Sequence, residues 1–328
     1  MPELRRDPVV GRWVIVDTER VRRPQDFRES RPTRRGGPCL LCGGHEMEAP
    51  PAILTIGGDA NGSWRVRVVP NKFPSLRVEG DLERRGHGLY DLMNGVGAHE
   101  LIVESPKHDD ALDTLPVQVV EDVVGAWRER IRDLKRDPRF RAAVVVKTHG
   151  LDRGLVHEHP HSQLLATPIP PQRLNDELHH ARAYHDYRER CLFCDIMHQE
   201  TEEQRRLVLE TDHLVAFAPF AARFPFETWI LPRRHLGAFE NADPIEHADL
   251  ARALRAVLRR MRNLLGDPPY SVLLHTAPFA DADSPFFHWH VEVIPRLAAT
   301  AGFEWESGLH TNPVPPEDAA RFLRDAPE

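Results

Sequence analysis

The run His159-Pro160-His161-Ser162-Gln163 places two imidazoles and an amide at alternate positions. On a strand, residues i and i+2 share a face, so His159 and His161 project side by side with Gln163 beyond them. A neutral imidazole nitrogen attacks phosphorus near neutral pH when its other nitrogen is held as a donor. Gln163 can then offer an amide N–H to a phosphoryl oxygen. Nucleotidyl transfer is the chemistry this cluster suits.

The surrounding pattern occurs twice. Cys39-x-x-Cys42, Glu100, His108 and the His159-Pro160-His161 pair are followed by Cys191-x-x-Cys194, Glu227, His235 and His288-Trp289-His290, in the same order. The Glu-to-His separation is eight residues in both copies, and the next step is 51 residues in one and 53 in the other. Such periodicity signals a duplicated unit. A Cys-x-x-Cys turn plus two distant histidines is the donor set zinc prefers, which gives one set per half: Cys39, Cys42, His108 and His159, then Cys191, Cys194, His235 and His288. A redox dithiol is the competing reading of a lone Cys-x-x-Cys. All 4 cysteines lie in these two turns, so no thiol remains for a disulfide framework.

Composition narrows the classes. The chain has 328 residues, 41% hydrophobic and 28% charged, enough for two ordinary domains, with boundaries expected at 1–190 and 191–328. No apolar run reaches the roughly 18 to 20 residues of a membrane span, and MPELRRDPVV lacks a signal-peptide core, so a cytoplasmic location is expected. A net charge of −7 argues against a broadly basic nucleic-acid surface. Only residues 1–36, with ten Arg against six acidic residues, offer a local basic stretch for phosphates.

Periodicity supplies the elements that must position these groups. Strands are expected at 13–17, 64–70, 100–105 and 141–148, the last forming a hairpin with the HPHSQLLAT strand. Thr114 is the expected cap of a long amphipathic helix beginning near Pro116. The second half repeats the order with strands at VLET, HLVAFAP and ETWILP, a helix capped by Asp243-Pro244, then YSVLLHT and HWHVEVIP. A helix through LNDELHHARAYHDYRER separates the halves. The fold class is therefore α+β, two mostly antiparallel units side by side as a pseudo-dimer.

HPHSQ, with Cys-x-x-Cys upstream and His-x-His downstream, resembles the galactose-1-phosphate uridylyltransferase family of the histidine-triad superfamily. The blocks DPVVGRWVIVDTERVRRP, VVPNKFPSL, SPKH, HPHSQLLATP, HWHVEVIPR and GFEWESG resemble family blocks in order across nearly the whole chain. The resemblance implies two fused histidine-triad units, a homodimer, and His161 as the residue that carries the nucleoside monophosphate. It implies that Gln163 stabilises this intermediate, that Arg20 and Arg23 lie near the nucleotide, and that Asn71 and Phe73 grip base and ribose. Arg296, Phe303 and Glu304 resemble the segment that holds the hexose phosphate across a dimer interface. The implied reaction is ping-pong, moving UMP from UDP-glucose to galactose 1-phosphate. Histidine-triad hydrolases generally place a third His at the position of Gln163; an amide cannot exchange a proton with the leaving group, which favours transfer to phosphate over hydrolysis.

Several residues depart from the family pattern. Thr148 replaces an Asn of the turn before HPH, and Val156 stands where a phosphate-binding Ser is expected, leaving Gln163 and the backbone near Gly154 for the phosphates. These departures keep an ADP-sugar or dinucleotide donor open, with phosphate as acceptor. His157 also allows a shifted triad in which His159 is the nucleophile, but the repeat aligns His159 with His288 and leaves His161 as the reactive ring. His290 is then its degenerate partner, with Trp289 and Glu292 replacing Pro and Gln. Some family members use a Glu and three His in the second half; Glu177 falls at that Glu and is expected on an exposed helix face, and the second zinc set is expected to be structural. A zinc-stabilised nucleotide binder without catalysis is the reading from outside the enzymes.

Overall fold

The computed structural model describes residues 1–19, 21–28, 39–58, 63–150, 158–297 and 302–328. Arg20, Gly154, Val156 and His157 therefore lie outside the described residues. The chain begins with β1 (Glu3–Arg6) and β2 (Trp13–Val16), an antiparallel pair. Next come β3 (Leu54–Ile56), β4 (Val66–Pro70), the exposed hairpin β5 (Arg85–His87) and β6 (Tyr90–Leu92), and β7 (Ala98–Val103). Helix α1 (Val117–Leu134) precedes β8 (Ala142–His149) and β9 (His161–Thr167). Helices α2 (Gln172–Arg188) and α3 (Leu192–Glu203) lead into the second half. There β10 (Leu207–Glu210), β11 (Leu214–Phe217) and β12 (Thr228–Pro232) are followed by α4 (Pro244–Leu265), β13 (Tyr270–His275) and β14 (His290–Pro295). Helix α5 (Gly302–Ser307), β15 (His310–Asn312) and α6 (Pro316–Asp325) close the chain.

Ten strands form one sheet in the order β10-β11-β12-β14-β13-β8-β9-β7-β4-β3, antiparallel at every pairing. The order reads as the same five-strand unit outward from a central β8–β13 seam, which is the duplication expected from the motifs. The tandem α+β architecture follows. At the seam, Tyr270 pairs with His149 and Leu274 with Val145. The N-terminal strands also reach across, because β15 pairs in parallel with β2.

Helical spacing explains which sheet face each helix covers. Val120, Val123, Val124, Trp127, Ile131 and Leu134 form the buried stripe of α1, and Leu250, Leu254, Val257, Leu258, Met261 and Leu265 that of α4. Both stripes join one core with Val68, Ile102, Leu164, Val272 and Val293, so these helices share one face of the sheet. On the opposite face, Leu174 of α2 and Phe193 of α3 pack with Phe217, Trp229 and Leu231. His161, Gln163, His290 and Glu292 alternate with core-facing Leu164, Val291 and Val293, so they all sit on this second face.

Three boundaries differ from the sequence reading. Pro116, not Thr114, caps α1; the Thr114 hydroxyl is spent on the Ala111 carbonyl at 2.9 Å. His159 precedes β9, which begins at His161. Cys191 caps α3, so the second Cys-x-x-Cys opens a helix. No described helix is long and apolar enough to cross a membrane.

Candidate active site and metal centres

His161 opens β9 between β7 and β8, paired with Val103 and 4% exposed. Its Nδ1–H donates to the His159 carbonyl at 2.7 Å, which puts the lone pair on Nε2. Gln163 follows on the same face. The loop leaving β4 returns along β7, where Asn71 N–H donates to the His99 carbonyl at 2.9 Å. Gly97 allows that approach, since a Cβ there would meet the Ala166 carbonyl at 2.5 Å and Leu76 at 2.6 Å. Asn71 Oδ1 accepts the Phe73 N–H at 2.9 Å, and the Phe73 ring is 72% exposed beside the cleft.

His99 is a site residue that the sequence reading missed. Its Nε2 lies 2.9 Å from Gln163 Oε1 and 3.0 Å from Asn71 Nδ2, and its Nδ1 accepts the Ser75 N–H at 3.1 Å. The signal was present in strand parity: Leu101 pairs with Gln163, so His99 two residues earlier shares its face. Glu100, the residue singled out by spacing, faces away and pairs with Arg130 of α1 through two 2.8 Å bonds. Beneath the reactive face, Glu104 accepts Ser162 Oγ–H and Lys147 Nζ–H at 2.5 Å each, all but fully buried. That clamp ties β8 and β9 to the end of β7 directly under His161.

Thr148 and His149 end β8, and Gly150 turns the chain out at φ +84°, with Pro269 at 2.9 Å from where its Cβ would be. Arg296 follows β14 at the same end of the seam, its N–H donating to the Pro269 carbonyl at 2.7 Å. Arg23 is exposed, with its backbone N–H donating to Asp26 at 2.7 Å. Phe303 and Glu304 lie on α5, where Glu304 accepts the Thr311 N–H at 2.8 Å and Phe303 is 56% exposed. Among the described contacts, Arg23, Arg296, Phe303 and Glu304 take no part in the cluster around His161.

Both expected metal sets are assembled. Cys39, Cys42, His108 and His159 converge, as do Cys191, Cys194, His235 and His288. Sulfur-to-Nδ1 separations run from 3.4 to 3.7 Å. A tetrahedral zinc with ordinary Zn–S and Zn–N bonds requires about 3.6 Å between those donors. The tautomers fit as well: His159 Nε2 donates to the Ser105 carbonyl at 2.7 Å, His288 Nε2 to Pro232 at 2.8 Å and His235 Nε2 to Ser284 at 3.1 Å. Each Nδ1 lone pair is thereby turned inward to a cation. Burial, together with the Cys39 thiol beside it, pushes the Cys42 thiol up to about 11, as expected of a thiol whose ionised form needs a cation.

Among the described residues, the second half does not repeat the His99–Gln163 arrangement. His290 repeats the Nδ1 bond to the residue two earlier, at 3.1 Å, but is fully buried, stacked 4.5 Å from His275 and flanked by Trp229 and Phe193. Glu177 corrects the sequence reading: it is buried, 1% exposed, and accepts from His275 at 3.0 Å. It belongs to a third convergent group, Glu177, His275, His290 and Glu292. On α2 the packed side is marked by Leu174, Leu178, Ala181 and Tyr184, and Glu177 falls on that stripe. Arg173 donates to both oxygens of Glu292 at 2.5 and 2.6 Å, and Arg223 to one at 3.0 Å. Burial alone would raise the Glu292 carboxyl; Arg173 and Arg223 hold it far below the ordinary range. Glu227 lies on this face bonded to Arg223, and its structural counterpart is His99, because Trp229 pairs with Glu292 as Leu101 pairs with Gln163. The equal Glu-to-His spacing of the two halves is thus a coincidence of one residue in register, which moves a side chain to the other face.

A duplicated antiparallel sheet, with a buried imidazole whose lone pair lies on Nε2 and two Cys2His2 sets, suits the nucleotidyltransferase class. Family models confirm the class: galactose-1-phosphate uridyl transferase, N-terminal domain, matches residues 1–171, and the C-terminal domain matches 177–300. The chain belongs to the galactose-1-phosphate uridylyltransferase family. It is 32% identical to ADP-glucose phosphorylase of Arabidopsis thaliana, over 99% of this chain and 93% of that one. Galactose-1-phosphate uridylyltransferase of Thermotoga maritima is 30% identical, over 99% and 98%. The crystal structure of the Arabidopsis thaliana ADP-glucose phosphorylase with bound ADP-glucose superposes with a TM-score of 0.85 at 31% identity, covering all of both chains.

Proposed function

We propose that the chain moves a nucleoside monophosphate from a nucleoside-diphosphate sugar to a phosphate acceptor through a covalent intermediate on His161. The observation that carries this reading is the His161 Nδ1 bond to the His159 carbonyl, which leaves the lone pair of Nε2 for attack on the α-phosphorus. As the N–P bond forms, the P–O bond to the sugar phosphate breaks and its electron pair leaves as the anionic sugar 1-phosphate. An oxygen of the second phosphate then attacks phosphorus, and His161 leaves as neutral imidazole. No proton need be delivered to the leaving group, which agrees with an amide, not an acid, at Gln163. Gln163 N–H groups meet the charge that grows on the non-bridging oxygens. Zinc at the first set would supply structural anchorage: Cys39, Cys42, His108 and His159 would hold it, fixing the chain two residues before β9.

Two donors suit this chemistry. UDP-glucose, with galactose 1-phosphate as acceptor, is supported by the family models and the Thermotoga maritima relative. An ADP-sugar, with inorganic phosphate as acceptor, is supported by Thr148 and Val156 departing from the family pattern and by the likeness to ADP-glucose phosphorylase over the full chain. Incubation with UDP-glucose or ADP-glucose, followed by intact-mass measurement, separates them by the mass added. His161→Asn is expected to abolish the adduct while both metal sets stay loaded. Retained adduct in that variant would move the nucleophile to another residue.

A further inference from the structure

We infer that His99 is the positioning residue that sets the polarity of the site, forcing the amide of Gln163 to present its N–H groups to the ligand. The inference rests on the transfer reading above and identifies what orients its donors. A neutral imidazole has one N–H and one lone pair, so its two nitrogens cannot both donate. The Ser75 backbone N–H points at His99 Nδ1 from 3.1 Å, and a backbone amide cannot be reversed to become an acceptor. Nδ1 must therefore carry the lone pair and Nε2 the proton.

That one assignment fixes the Gln163 amide. Nε2–H donates to Gln163 Oε1 at 2.9 Å; turning the amide over would set its NH2 against the ring N–H, donor on donor. With the oxygen held, both Gln163 N–H bonds are left for oxygens of the ligand. Asn71 is oriented separately, by the Phe73 N–H that its Oδ1 accepts at 2.9 Å, and its Nδ2 lies 3.0 Å from the same ring nitrogen. A wrongly turned Gln163 would aim a carbonyl oxygen at a phosphoryl group that becomes more negative as the N–P bond forms, so orientation bears on rate more than on ground-state affinity. In the second half Glu227 occupies the counterpart position of His99, and Glu292 that of Gln163: an acceptor beside an acceptor, bridged by Arg223, which suits no anionic ligand.

Two measurements test this on the zinc-loaded full chain. A long-range proton–nitrogen correlation spectrum of nitrogen-15-labelled protein is expected to show His99 protonated at Nε2 and bare at Nδ1. An Nδ1–H tautomer or an imidazolium at neutral pH overturns the inference whether or not the chain takes a nucleotide. The second measurement is the rate of adduct formation in His99→Phe, which keeps a ring but no donor. With metal content and melting unchanged, the rate should fall about tenfold, the worth of one oriented hydrogen bond, with little change in KM. In a Gln163→Ala background, where there is no amide to orient, His99→Phe should cost less than twofold. An equal loss in both backgrounds, or a change in KM alone, would mean that His99 only supports the loop. If the native chain forms no adduct with UDP-glucose or ADP-glucose, the transfer reading fails, and the tautomer still decides the geometry.

Discussion

Changing Glu292 to Gln makes the two halves spell the same pattern, His-x-His-x-Gln, and so asks whether sequence or surroundings confers reactivity. In the native chain the Glu292 carboxylate is buried and receives three hydrogen bonds from Arg173 and Arg223. Removing one partner of a buried ion pair costs about 3 to 5 kcal/mol. Arg223 keeps Glu227 at 3.3 Å and Arg173 keeps Glu177 at 3.4 Å, and the new amide oxygen still accepts one bond, so the lower end, about 3 kcal/mol, applies. With roughly 2.1 cal/mol/K of unfolding entropy per residue over 328 residues, that loss lowers the melting temperature by about 4 °C. The folded carboxyl lies below its unfolded range, so its contribution is complete above the unfolded value and vanishes only as pH falls through the depressed one. The difference between native and Glu292→Gln protein should accordingly hold from pH 8 to 5. Chemistry should not change: His290 is fully buried, with its ring packed among His275, Trp229 and Phe193. Intact mass after saturation with a nucleotide sugar is expected to show one adduct per chain in both proteins. A second adduct, or loss of the first without loss of stability, would refute the division into one reactive and one structural half.

Two further expectations follow from the same structure. Cys191→Ser removes a donor that joins α3 to the loops before α4 and β14, and structural zinc contributes about 10 kcal/mol or more, so the variant should bind less metal and unfold at far lower urea; a well-folded variant lacking only activity would contradict this. His247 is buried against Phe239, and burial pulls its ring down to about 4, so it folds neutral. Its stabilisation is complete above pH 6.5 and is lost as pH falls toward 4, roughly 3 kcal/mol in full. Urea midpoints for His247→Gln should decline less steeply across that window than those of the native chain, and parallel curves would contradict the assignment.

What the sequence revealed and what it hid divide along a physical line. Patterns carried within one element were legible: the stripes of α1 and α4, the Asp243 cap with Glu246 returning to its N–H at 2.8 Å, and the Cys-x-x-Cys and His-x-His pairs that name their own partners. What stayed hidden depends on which residues face each other across strands. Glu177 is a charged residue whose burial depends on His275 of β13 meeting it from across the fold, with Arg173 one turn back on α2 itself. Glu100 attracted attention through a spacing shared with Glu227, yet strand parity gives the site to its neighbour His99.

The comparison of halves then shows how one fold surrounds two equivalent histidines differently. The sheet holds His161 and His290 in equivalent places, with the same bond from Nδ1 to the carbonyl two residues back. In one half the neighbours are His99 and Gln163, whose donors the proposed reading turns to an anion. In the other they are Glu227 and Glu292, whose charges are met by Arg173, Arg223 and His275. Ion pairing with half-buried arginines ties up this face, because an arginine withdrawn to admit a ligand would leave a buried carboxylate with fewer of its partners.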